Sequence, residues 1–168
     1  KGQLPERMFS FYQRGKEGLL MSFVNDFTIP LVAGEPYYYL GLVNVAQQFV
    51  FEAMEAVPDY RKSVRCFKRL AETNLINGRY EVARKYLRIL QHTLFYKDWA
   101  TETLACLNDE DRVNAHPEYG RLRRLTPRTD FFFNPDLPEM TLEFLLHANP
   151  RNRMAYEYLM ACTLLKKD

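Results

Sequence analysis

A single tryptophan, seven glycines and three cysteines are spread over the 168 residues of this chain. No stretch approaches the roughly 18 consecutive apolar residues of a membrane span. Each scarcity closes a class of structure or function. Cys66, Cys106 and Cys162 are odd in number, far apart and without a CxxC pair, so neither a disulfide framework nor a zinc site is expected. All three read as buried structural thiols within helices. His92, His116 and His147 fall in unrelated segments with no H-x-x-H spacing and read as surface or capping residues. Asp109, Glu110 and Asp111 lack the glycine and the spacing of a calcium loop, and read as a solvated turn. There is no Walker A sequence, no G-x-S-x-G and no dinucleotide-binding glycine pattern. No catalytic residue, metal or cofactor is therefore expected, and the chain does not read as an enzyme. A net charge of +2 is too small to point to a nucleic-acid partner. The chain opens on Lys1 with neither Met nor a signal peptide, which reads as a piece of something longer.

What the chain does have is bulk. Twelve Phe, eleven Tyr and a hydrophobic fraction of 47% suit large side chains packed between helices. The apolar spacing is helical almost throughout. Short helices are expected at Pro5–Gln13 and Lys16–Asn25. Pro30, Gly34 and Pro36 argue against a long helix through that stretch, so Pro36 is expected to begin one reaching Val57 and halting at Pro58. A strong helix follows over 61–77, ended by Asn77-Gly78, then one from Tyr80 to Phe95 that places Leu87, Leu90 and Leu94 on one face. Further helices are expected at Trp99–Leu107, from Pro117, from Pro138 to His147 or Ala148, and from Asn152 or Arg153 to Lys166. The only strand candidate is the short run Asp130–Asn134. The class is all-α, in one domain.

An internal repeat underlies this pattern. Residues 40–58 align with 77–95 at an offset of 37, pairing Gly41 with Gly78, Ala46 with Ala83, Val50 with Leu87 and Ala53 with Leu90. Leu75, Gly78, Tyr80 and Ala83 form the string L-x-x-G-x-Y-x-x-A, with Phe67, Leu70 and Ala71 at first-helix positions before it. On these residues the chain resembles the tetratricopeptide (TPR) family. The resemblance implies antiparallel helix hairpins stacked as a short, degenerate right-handed superhelix. Its parts would be irregular or short helices over 1–35, a degenerate hairpin over 36–60, the best-preserved hairpin over 61–97, an irregular insertion with short helices over 98–137, and a truncated hairpin over 138–168. The stretch 52–87 is also similar to the soluble C-terminal part of an uncharacterised bacterial membrane-protein family. That likeness implies a domain tethered to a bacterial inner membrane, with membrane contact only through the rest of the parent chain.

Two places are candidates for partner binding. On the helix 61–77 the face opposite the core shows Arg61, Arg65, Lys68, Arg69 and Glu72, which read as a solvated face carrying the i,i+4 pair Lys68–Glu72. In TPR domains that clamp a peptide carboxylate, lysines and asparagines line this face; Lys68 matches that role and Glu72 departs from it. The loop containing Phe131, Phe132 and Phe133 either plugs a gap between hairpins or forms an apolar patch for a partner. A basic segment, Arg121 to Arg128, reads as an exposed turn. The expected function is a protein- or peptide-binding scaffold module. The alternative is a regulatory or substrate-positioning domain serving a catalytic site elsewhere in the parent chain.

Overall fold

Two glycines in left-handed backbone organise the first half of the molecule. Helix α1 (Thr28–Leu40) turns at Gly41, φ +92°, into α2 (Val43–Glu55). Helix α3 (Val64–Ile76) turns at Gly78, φ +71°, into α4 (Tyr80–Leu90). An L side chain in this region costs about 1–2 kcal/mol, so glycine is the residue that lets each helix reverse within two or three residues. The computed structural model describes residues 28–56, 63–107, 109–128 and 138–165. Among these there are nine helices and no strand: α5 (Lys97–Cys106), α6 (Glu110–Ala115), α7 (Pro117–Leu125), α8 (Pro138–Ala148) and α9 (Arg153–Leu165) complete the set. The expected helices Pro5–Gln13 and Lys16–Asn25, and the strand candidate Asp130–Asn134, lie outside the described residues.

The two hairpins close in the same way. Ala46 and Ala83 are both fully buried, as are Ala53 and Leu90 at the later equivalent positions. Small residues near the turn let the helices approach, and the larger ones seal the far end. Each pair also carries stacked rings: Tyr37 on Phe49 at 5.4 Å between α1 and α2, and Phe67 on Tyr86 at 5.9 Å between α3 and α4. The hairpins then pack through α2 and α3, around Leu31, Val50, Ala53, Cys66 and Leu70.

Several expectations need correction. Pro30, Gly34 and Pro36 do not break the first helix; all three lie inside α1, which begins at Thr28 rather than at Pro36. Pro30 sits in the first turn, where a missing N–H is no loss. Pro36 does forfeit a rung, and burial of Leu31, Gly34, Tyr38 and Leu40 on the neighbouring helices outweighs it. Helix α4 stops at Leu90 instead of Phe95, because Thr93 returns to it: both the Thr93 hydroxyl (2.6 Å) and its backbone N–H (3.0 Å) donate to the Leu90 carbonyl. Leu94 is consequently 87% exposed, not part of the buried face. Asp109 to Asp111 do not form a solvated turn. Asp109 caps α6 by accepting from the Arg112 N–H at 3.0 Å, and Glu110 and Asp111 occupy the positive end of that helix. Of the cysteines only Cys66 is buried; Cys106 and Cys162 are half-exposed.

The short helices within 98–137 are not peripheral. Helix α7 lies across α1 and α3, and its Tyr119 and Leu122 join the main core with Tyr38, Leu75, Leu87 and Leu107. Its N-terminus is capped by His116, whose Nδ1 accepts from the N–H groups of Glu118 and Tyr119. The hairpin of α8 and α9 packs beneath the α1–α2 turn, around Leu40, Leu42, Leu142, Leu145 and Ala155. Asn152 fixes that junction. It accepts from the Ala155 N–H to cap α9, and it donates at 2.9 Å to the carbonyl of Leu40 at the end of α1.

Candidate functional site

The charged face of α3 does not look out on solvent. Helix α3 packs against α7 and reaches α1 through side chains, so its second and third turns carry ionic side chains into a crowded space. Glu72 is only 4% exposed. Its carboxylate accepts from Lys68 at 2.9 Å and from Arg69 at 2.9 Å. Arg69 reaches onward to Glu35 of α1 at 2.6 Å, and its guanidinium lies 3.6 Å from the centre of the Tyr38 ring. Tyr38 is wholly buried and donates its hydroxyl to Glu118 of α7 at 3.0 Å. Three helices are thus joined through one arginine and one tyrosine. A buried charge is tolerable only when paired in this way.

Electrostatics follow the burial. The Glu72 carboxyl is pushed above the usual carboxylate range by desolvation, with Arg69 and Lys68 pulling it back only in part. Burial likewise raises the hydroxyls of Tyr38 and Tyr119, and the neighbouring Glu72 adds to both. These tyrosines stay neutral and act as hydrogen-bonding struts.

A second knot secures the end of α3. Arg123 of α7 donates to the carbonyls of Leu75 and Ile76 at 2.9 and 3.0 Å, to the Tyr80 hydroxyl at 2.7 Å and to Asn114 at 2.9 Å. It also pairs with Glu110. A cation on the last carbonyls of a helix satisfies orphan acceptors and complements the helix dipole. Arg123 is therefore not part of an exposed basic turn; Arg121 bonds the Tyr39 carbonyl at 3.4 Å, and Arg124 and Arg128 remain exposed.

Of the candidate residues, Arg65, Lys68, Arg69 and Glu72 share α3 but not one environment. Arg69 and Glu72 are consumed by the internal network, which overturns the expectation of a solvated face; the Lys68–Glu72 pair is present. Lys68 is one-third exposed and sits 5.2 Å from the centre of the Trp99 ring and 6.0 Å from that of Tyr96. Arg65, one turn earlier, is exposed. Arg61, Phe131, Phe132 and Phe133 lie outside the described residues. Sequence reasoning missed Glu35, Tyr38, Glu118 and the Trp99–Tyr96 pair. Tyr38 and Glu118 are 80 residues apart, and only the placement of α7 brings them together; no local spacing signals that.

Beside this network a cavity of about 180 Å³ opens between α5 and the α6–α7 pair, lined by Trp99, Cys106, Arg112, His116 and Tyr119 among others. Among the described residues no group of three or more His, Cys, Asp or Glu could hold a metal ion, and no helix is long and apolar enough to cross a membrane.

No curated protein and no solved structure matches the chain. A family model covering residues 1–168 does match, and the chain belongs to the family of unknown function DUF6057.

Proposed function

We propose that this chain is a short, degenerate TPR-like module, stacked as a right-handed superhelix, that binds an acidic peptide segment within a larger, membrane-associated bacterial protein. Support for the TPR-like arrangement comes from the two glycine-turned hairpins, with equivalent alanines at their contacts and the string Leu75, Gly78, Tyr80, Ala83 in the second. The inner face that such a stack would offer a ligand is largely taken by α7, which leaves its edge. The observation that carries the binding reading is Lys68: a cation beside the rings of Tyr96 and Trp99, paired with Glu72 yet partly open to solvent, with Arg65 exposed one turn away. A cation beside two aromatic rings, with a second exposed cation one turn earlier on the same helix, suits a chain segment with a carboxylate and an apolar flank. The module carries out no reaction of its own.

Selection of a displayed random peptide library on the purified chain tests this. Enrichment of acidic sequences is expected, and the selected peptides should lose about fivefold or more in affinity on Arg65→Glu, since cations at an interface act through long-range complementarity. A library that yields no enriched peptide, or binding indifferent to Arg65→Glu, overturns the proposal.

A further inference from the structure

The loop that joins α4 to α5 places two large apolar side chains in water, Leu94 at 87% and Phe95 at 84% exposure. Nothing in the core uses them. The Thr93 bonds that end α4 at Leu90 are what turn this pair outward, away from the helical face their spacing suggested. The charges flanking them in sequence are mostly basic: from residue 81 to 102 the chain carries Arg84, Lys85, Arg88 and Lys97 against Glu81, Asp98 and Glu102. Arg84 pairs with Glu81, whereas Lys85, Arg88 and Lys97 are exposed and make no ion pair among the described residues. Val82 and Ile89 extend the apolar component along the outer side of α4.

We infer that this loop and the outer side of α4 form a peripheral contact for an anionic lipid surface. Adjacent exposed leucine and phenylalanine side chains, flanked in sequence by exposed lysine and arginine, have the composition of an interfacial anchor: the apolar tips enter the headgroup boundary and the cations meet the phosphates. A second copy of the chain is disfavoured, since it would bring the same cations face to face. A protein groove is disfavoured because the two side chains protrude from a loop instead of lining a cleft. The contact adjoins the Arg65–Lys68 edge, since Tyr96 lies beside Lys68, but does not depend on peptide binding there.

Sedimentation of the 168-residue chain with vesicles of phosphatidylglycerol and phosphatidylcholine, compared with phosphatidylcholine alone, tests it. The chain should pellet with the anionic vesicles, less so as salt is raised. Leu94→Ser combined with Phe95→Ser should weaken pelleting by on the order of tenfold, and Arg88→Glu with Lys97→Glu by a comparable factor. Both double variants alter exposed side chains, so their circular dichroism and melting should match the parent. Failure to pellet with anionic vesicles, or unchanged pelleting of the Leu94/Phe95 variant, overturns the proposal. So does a change of oligomeric state in that variant without a change in vesicle binding, which would assign the patch to a second copy.

Discussion

The two glycine-turned hairpins share a local design and differ in what covers them. Gly41 and Gly78 have the same backbone hand, and equivalent alanines close each pair. A Cβ on Gly78 would meet nothing within 4 Å, while one on Gly41 would lie 2.7 Å from Cβ of Leu125 and 3.0 Å from its backbone. The end of α7 presses on the first glycine, whereas at the second it reaches only the flanking residues through Arg123 and leaves the space beside Gly78 open. The first hairpin also has the poorer sequence, with Pro36 inside its helix, yet it is the one wedged between α7 and the α8–α9 hairpin. Tertiary cover compensates for the weak local signals of the first hairpin.

The largest break in this comparison should come from Arg69, which ties the hairpins together through Glu35 and pairs with the buried Glu72 of its own helix. Arg69→Met leaves Glu35 without its α3 partner and the buried Glu72 with Lys68 alone, for an expected loss of about 3–5 kcal/mol. The midpoint of urea unfolding reads this, and a loss within experimental error would show that the network contributes nothing to stability. Gly41→Ala should follow, at about 3 kcal/mol, because backbone strain and the collision with Leu125 act together. Gly78→Ala carries the strain alone and should cost about 1–2 kcal/mol in the same assay. Equal effects at the two glycines would refute the claim that α7 presses on Gly41 and leaves the space beside Gly78 open.

The smallest effect is a pH slope. Because burial raises the Glu72 carboxyl in the folded chain, the folded state holds that proton more tightly than the unfolded state does. Its contribution to stability is fully present below the ordinary carboxylate range and is lost as pH rises through the raised value. Unfolding midpoints across mildly acidic pH should therefore fall less steeply for Glu72→Gln than for the parent. Parallel slopes would mean that Glu72 is not desolvated.

Much of the helical layout was legible because it rests on short-range spacing. The Leu75–Ala83 string marks a hairpin by itself, since a left-handed glycine and a small residue four or five positions on are local requirements. Pro138 and Asn149-Pro150 mark the bounds of α8 for the same reason. Legibility failed where a local rule met a distant partner. Pro36 reads as a helix start until α1 is seen packed on its neighbours. Arg69 and Glu72 read as surface charges because an i,i+3 pair on a polar face has the same spacing whether or not another helix lies over it.

The sequence alone determined that this chain is all-helical, that two segments reverse on glycine and that large aromatic residues would fill the contacts between helices. These follow from backbone sterics and from periodicities of three and four residues. Only the tertiary structure decided which charges are buried, that α7 lies across α1 and α3, and that Leu94 and Phe95 face outward. The first two outcomes depend on contacts between residues 34 to 112 positions apart, as at Glu35–Arg69, Tyr38–Glu118 and Leu40–Asn152, and the third on where the Thr93–Leu90 bonds end α4. Their energies arise from burial, which one segment cannot specify without the element that covers it.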